Sequence, residues 1–146
     1  MFGGITKNGA KMLMVQSNLD IPKLTLMTNG SFGAGNYAMC GRAFDARFLF
    51  SWPNSQISVM GMEQAAKTLS QLRVKTLERQ GRSLSDEEIE QIYEGIKKDY
   101  LEKSSAYHST SELWDDGIID PVDTRKVLGI ALSASLNRNF KETPHG

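Results

Sequence analysis

Three observations predict an α/β fold. Apolar residues recur at helical spacing through 62–77 and again through 89–100. Short apolar runs, alternating or continuous, lie at 22–28, 47–52 and 56–60. The two kinds of segment interleave along the chain, in the order helix, strand, Gly-rich turn, short helix, two strands, two long helices, short strand, helix.

Each element has its own warrant. Ile5, Met12, Val15 and Leu19 fall loosely at helical spacing, and Asn18-Leu19-Asp20 ahead of Pro22 ends that helix. Little before Ile5 can cap it, so the sequence reads as a helix already under way. Residues 22–28 alternate with period two and carry β-branched Thr25 and Thr28, while Pro22 suits a first position that needs no ladder bond. Asn29-Gly30 is read as a turn. The small residues after it lead into a short helix. Pro53-Asn54-Ser55 separates the strands at 47–52 and 56–60.

Met62, Ala65, Ala66, Leu69, Leu72 and Leu77 share one face of a helix that runs to about Gln80, where Gly81 offers a left-handed cap. Ser85-Asp86-Glu87-Glu88 is a capping box with an acidic first turn. Its helix puts Ile89, Ile92, Tyr93, Ile96 and Tyr100 on one face. A short helix is expected between Tyr107 and Trp114, then a break at Asp116-Gly117 and a brief buried strand at Ile118-Ile119. Asp120 caps a last helix with Pro121 at its first position, Val127, Leu128, Ala131 and Leu132 inside, and an end near Asn137.

Composition narrows the function classes. A chain of 146 residues that is 40% apolar and 23% charged fits one globular domain and excludes disorder. At that size roughly 70% of the unfolded surface is expected to be buried, without help from disulfides or metals. Seventeen basic residues balance seventeen acidic ones, which argues against nucleic acid or anionic lipid as partner. No apolar run approaches the ~18 residues that span a bilayer. A lone Cys40 cannot form an internal bridge and fits a reducing compartment.

Side-chain chemistry is thin. His108 and His145 have no ligand-spaced Glu or Cys beside them, so a metal site is not expected and both read as solvated. Cys40 reads as a structural thiol, with Arg42 nearby, and Asp115-Asp116 before Gly117 as turn and cap chemistry instead of general acid or base. The bend Gly33-Ala34-Gly35 differs in kind. Where a strand passes through small residues into a helix, several backbone N–H groups are left unpaired and aligned, next to the positive end of the helix dipole. Such a bend can hold an oxyanion, bind phosphate or merely pack tightly. Neither Gly-x-Gly-x-x-Gly nor a Walker lysine is present, which lowers the nucleotide option.

Five blocks then become recognisable: Gly4-Ile5-Thr6-Lys7-Asn8-Gly9-Ala10-Lys11-Met12; Gly30-Ser31-Phe32-Gly33-Ala34-Gly35-Asn36-Tyr37-Ala38-Met39-Cys40-Gly41-Arg42-Ala43; Trp52-Pro53-Asn54; Ile57-Ser58-Val59-Met60-Gly61-Met62-Glu63-Gln64-Ala65-Ala66; and Trp114-Asp115-Asp116-Gly117-Ile118-Ile119-Asp120-Pro121. In this order they closely resemble the C-terminal part of the carboxyltransferase β subunits of biotin-dependent acyl-CoA carboxylases, nearest to the methylcrotonoyl-CoA carboxylases. Ala38 and Met62 stand where Gly is common among the relatives.

That resemblance implies a crotonase-like fold of repeated strand-strand-helix turns, with residues 1–146 as the later part of the second of two such domains and the first domain absent. It implies transfer of a carboxyl group from carboxybiotin, carried on a partner α subunit, to 3-methylcrotonyl-CoA in leucine breakdown, within an oligomer of β subunits. By position, the N–H groups of Ala34 and Gly35 form the hole for the biotin oxygen, Phe32 and Gly33 shape the approach, and Tyr37 belongs to the acyl pocket. No side-chain base is needed and no metal is implied. The location implied is the mitochondrial matrix in a eukaryote and the cytoplasm in a bacterium. Alternatives are a non-catalytic fragment that contributes only a subunit interface, a carboxylase acting on geranyl-CoA or another acyl-CoA, and a stand-alone hydratase or isomerase, which the absence of a Glu from the bend disfavours.

Overall fold

In the computed structural model, which describes residues 4–137, the centre is made of two pairs of parallel strands. Strand β1 (Leu24–Met27) lies beside β3 (Phe48–Ser51), with Leu24 opposite Phe48 and Met27 opposite Ser51. Strand β2 (Gly30–Phe32) lies beside β4 (Gln56–Ser58), with Phe32 opposite Ser58. Parallel neighbours require a crossover, and each crossover here passes through the helix that comes after a strand pair. The chain therefore repeats one unit: β1, β2 and helix α2 (Gly33–Ala38), then β3, β4 and helix α3 (Met62–Arg79). This is the strand-strand-helix repeat that the resemblance implies.

A third repeat is cut short. Ile118 bridges to Ser51, with Ser51 N–H donating to Gly117 O at 3.1 Å and Ile119 N–H to Ser51 O at 2.9 Å, before helix α6 (Thr124–Ser135). The brief buried strand expected at Ile118-Ile119 is thus a single half-buried bridge, because the chain turns away to cap the next helix. Asp120 Oδ1 accepts from Val122 N–H at 3.0 Å, and Pro121 opens a 3-10 turn, Pro121–Asp123, instead of the α-helix itself. Upstream, the turn expected at Asn29-Gly30 is tighter than the sequence indicates, since Gly30 already belongs to β2.

Helix α1 (Ile5–Asn18) starts at Gly4 with no side-chain cap, as its sequence implies. Helix α4 (Asp86–Ser104) packs against α3 as a long hairpin, and α5 (Ala106–Ser111) comes directly after it. The hairpin ends are closed by local chemistry. Gly81 N–H donates to Glu78 O and Arg82 N–H to Leu77 O, the paired bonds of a Schellman stop. Ser85 Oγ accepts from Glu88 N–H at 3.3 Å while the Glu88 carboxylate accepts from Ser85 N–H at 2.9 Å. That backbone bond, with Arg82 close by, holds the Glu88 carboxyl below its ordinary value. Between the helices, the Tyr93 hydroxyl donates to Glu63, which raises the phenol, and Glu94 and then Glu63 raise Lys97.

The core is built from small side chains. Ala65, Ala66, Ala106 and Ala131 are buried; Met27 and Leu49 are the only large aliphatic side chains buried among the described residues, and Ser51 and Ser109 are fully enclosed. Small residues let helices and strands approach closely, but each buries little apolar area. Larger side chains face outward, among them Ile5, Met39, Val59, Leu113, Val122, Ile130 and Leu136. The accessible surface is 10630 Å²; a compact monomer of this mass exposes roughly 7,500 Å². Burial of the usual share of surface, expected from length, is not reached, with large apolar side chains left exposed on the helices and on the loops between them.

Two outcomes are expected of this architecture. Exposed apolar surface of this kind promotes association, so the purified chain elutes above its monomer mass in size-exclusion chromatography, and a stable monomer at high concentration contradicts this. Ser85→Ala lowers the unfolding free energy by about 1 kcal/mol in urea titrations. The Glu88 contribution to the same cap is complete above the ordinary carboxylate range and fades as the pH falls through its lowered native value.

Candidate functional site

The bend between β2 and α2 is fixed from both sides. Ladder pairing of β2 with β4 sets Phe32 opposite Ser58, and Phe32 then serves as the extended residue ahead of the helix. At Gly33 the backbone turns left-handed, with φ of +54°, and a Cβ there would lie 3.0 Å from the Val59 carbonyl oxygen. Both facts select glycine. Asn36 Nδ2 donates to Ser31 Oγ at 2.8 Å and ties the strand to the first turn of the helix. The far end is closed by Cys40 N–H to Tyr37 O and Gly41 N–H to Asn36 O at 2.8 Å. Cys40 itself takes the left-handed position of that stop, φ 56°, with its thiol buried against Phe44 O. It is a structural thiol, as its small neighbours indicate.

This geometry leaves Ala34 and Gly35 exposed. The first turn of a helix has no carbonyl of its own for these N–H groups, and among the described residues no acceptor outside the helix takes either of them. A Cβ at Gly35 would meet nothing within 4 Å, so the space in front of it is open. The helix dipole expected from the sequence contributes little. Helix α2 has only six residues, too short for a substantial macrodipole, so the bend acts through its individual N–H groups.

Beside the bend lies a cavity of about 540 Å³ that shares Gly33 with it. Tyr37, Val59, Tyr100 and Trp114 contribute to its walls, Arg42 and Lys103 are its charged lining residues, and no acidic side chain lines it. Tyr37, selected from the sequence, is 46% exposed, with its ring edge-on to Phe44 at 6.1 Å. A larger hollow, about 870 Å³, runs along the α1–β1 connection and does not include the bend.

Three residues behave differently from their sequence reading or were not singled out by it. His108 is half-buried and edge-on to Trp114 at 5.8 Å, so it is a packed ring and not a solvated one; His145 lies outside the described residues. Arg42 makes the other ring contact of this group, 4.7 Å from the Trp114 centroid, a cation–π pair that sequence distance hid. Asp115 does far more than cap a turn. Its carboxylate accepts from Ser51 Oγ at 2.7 Å, Ser109 Oγ at 3.3 Å, Thr110 Oγ1 at 2.8 Å and Gly117 N–H at 3.1 Å, while Asp116 accepts from Leu49 N–H at 2.7 Å. Set among serines, Asp115 ties α5 to β3.

The chain belongs to the carboxyl transferase domain family, whose model matches residues 1–145, and its repeated strand-strand-helix units agree with that membership. Among characterised relatives it is 51% identical to the mitochondrial methylcrotonoyl-CoA carboxylase beta chain of Arabidopsis thaliana, over 98% of this chain and 24% of that one. It is 48% identical to the biotin-dependent 3-methylcrotonyl-coenzyme A carboxylase beta1 subunit of Mycobacterium tuberculosis, over 99% and 27%. The solved beta subunit of P. aeruginosa geranyl-CoA carboxylase superposes with a TM-score of 0.76 at 40% identity, covering 98% of this chain and 27% of that one. The hexameric transcarboxylase 12S superposes at 0.78 with 28% identity, covering 99% and 26%. The chain thus spans about a quarter of the length of the relatives it matches.

The Asp115 network generates one outcome. Asp115→Ala leaves the fully buried Ser51 hydroxyl and the half-buried Thr110 hydroxyl without their acceptor, while Ser109 keeps the Ala106 carbonyl, and lowers stability by about 2 to 4 kcal/mol in chemical denaturation, Asp115→Asn by less. A loss below about 0.5 kcal/mol for the alanine variant, the range of an ordinary surface substitution, contradicts the role assigned to the network.

Proposed function

We propose that residues 1–146 are the later part of a C-terminal carboxyltransferase domain, and that this chain forms the biotin side of a centre that carboxylates 3-methylcrotonyl-CoA. The supporting observation is the pair of exposed, externally unpaired N–H groups at Ala34 and Gly35, in a chain whose family transfers carboxyl groups. A ureido oxygen that gains negative charge needs two convergent donors and room to approach, and the missing side chain of Gly35 leaves that room. Biotin, delivered as carboxybiotin by a partner subunit, supplies the carboxyl group and a ring nitrogen able to take the acyl proton.

The chain's own residues supply position and charge stabilisation. Ala34 and Gly35 donate to the ureido oxygen, each donor worth about 2.7 to 4 kcal/mol by comparison with other oxyanion holes. Phe32 and Gly33 fix the direction of approach, since the left-handed turn at Gly33, with room for no Cβ beside the Val59 carbonyl, sets the path of the chain there. Tyr37 walls the neighbouring cavity, where the acyl group is accommodated. With no acidic side chain in that lining, nothing repels a carboxylate in transit. The choice of 3-methylcrotonyl-CoA over geranyl-CoA rests on the higher identity to the methylcrotonoyl-CoA carboxylase relatives, 48–51% in the plant and mycobacterial proteins against 40% for the geranyl-CoA carboxylase subunit. Partners in this reading are a biotin-carrying α subunit and further β subunits, seated on the apolar faces left uncovered here. The compartment depends on the host: the plant relative is mitochondrial by name, and no described helix is long and apolar enough to cross a membrane.

The test is carboxyl transfer from a carboxybiotin donor to 3-methylcrotonyl-CoA, with this region in its complete β subunit and Gly35 intact or replaced. Gly35→Val meets open space and leaves the circular dichroism unchanged, yet lowers transfer by about a hundredfold or more by blocking the approach to the amides. Normal turnover in that variant contradicts the assignment.

A further inference from the structure

We propose that Tyr100 is a positioning residue for the bend, an inference that rests on the carboxyltransferase reading for its functional consequence but not for its geometry. Tyr100 sits near the end of α4, and its hydroxyl spans to the segment between β4 and α3. It donates to Met60 O at 3.0 Å, and Met60 N–H approaches the same hydroxyl oxygen at 3.4 Å. Ser58 Oγ donates to the Met60 carbonyl at 2.6 Å, so both lone pairs of Met60 O are engaged and the turn after β4 is pinned twice, once locally and once from forty residues away.

The residue held by this turn is Val59, whose carbonyl oxygen is the surface against which Gly33 bends. The path is short and continuous: the Tyr100 hydroxyl fixes Met60, Met60 fixes Val59, and Val59 sets how far Gly33 can move before the amides of Ala34 and Gly35 lose their common direction. The Tyr100 ring also contributes to the cavity wall and is retained in Tyr100→Phe, so that substitution removes only the hydroxyl's hold on Met60. That hydroxyl is occupied on both its donor and acceptor sides, so it acts on the bend through the backbone and not as an acid. The α3–α4 hairpin, whose α4 end also lines the cavity beside the bend, becomes its support.

A second tyrosine of the same helix provides the control. Tyr93 also reaches across to α3, donating to Glu63 at 3.0 Å, but that bond is to a side chain of the helix and not to the backbone of the turn after β4. The experiment is amide hydrogen exchange by NMR on the full chain, comparing wild type with Tyr100→Phe and Tyr93→Phe. The probes are the Met39 and Gly41 amides, which bond to Gly35 O and Asn36 O at the far end of α2. Loss of one such hydrogen bond raises exchange there about 5- to 10-fold in Tyr100→Phe and leaves it unchanged in Tyr93→Phe. Unchanged exchange in Tyr100→Phe, or an equal rise in Tyr93→Phe, overturns the proposal. In the assembled carboxylase the accompanying result is a kcat about 10-fold lower for Tyr100→Phe, with KM for the acyl-CoA within about twofold, because orientation of donors in the transition state is lost and not binding. An unchanged kcat overturns the functional consequence, whereas wild-type protein that transfers no carboxyl group sinks the carboxyltransferase reading and leaves the exchange comparison to decide the clamp.

Discussion

The tight clearance at Gly33, where a Cβ would lie 3.0 Å from the Val59 carbonyl oxygen, governs the geometry of the bend. It exists because β2 and β4 are paired in parallel with Phe32 opposite Ser58, so that the first residue past one strand meets the first residue past the other. Any side chain at Gly33 would have to displace backbone, and the positive φ there would strain it further. Past this contact the chain enters a short helix whose first N–H groups point outward, beside a glycine with nothing in front of it. Catalysis by preorganised amides needs this kind of rigidity, since donors that must reorient at the moment of reaction lose most of their advantage.

A second constraint is the smallness of the interior. Serine and alanine at the crossing points allow β3, α5 and the Gly117 bridge to approach within hydrogen-bond range of one carboxylate, Asp115, and a saturated polar network there does what large aliphatic side chains do in most domains. The consequence is visible outside. Isoleucines, leucines and valines that would fill a larger core lie on the surface, and the relatives in which this region occurs are about four times as long. Exposed apolar faces of this extent are of the kind that meet other protein surfaces.

Much of the fold is legible in the sequence because its signals are local. The capping box at Ser85, the stop at Gly81 and the period of 62–77 each concern residues within one or two helical turns. The bend's geometry is legible for the same reason, but its role is not, since small residues between a strand and a helix can hold an oxyanion, bind phosphate or merely pack tightly. Less is legible where partners are distant. Asp115 looks like an ordinary turn residue until Ser51, sixty-four positions earlier, is brought to it. Tyr100 falls on the apolar face of α4 at helical spacing and reads as core, although its hydroxyl is the part that matters. Arg42, Trp114 and His108 form one stack that no spacing rule connects. The sparse core is hidden too, because composition counts apolar residues without saying which face they take.

The most direct measurement is a structure of this region with biotin bound, refined far enough to locate the ureido oxygen relative to the main chain. Preorganised amides at the bend place that oxygen at hydrogen-bond distance, about 2.9 Å, from the nitrogens of both Ala34 and Gly35. A ring seated elsewhere, or those two nitrogens bonded instead to groups of the protein itself, would contradict the role given to them.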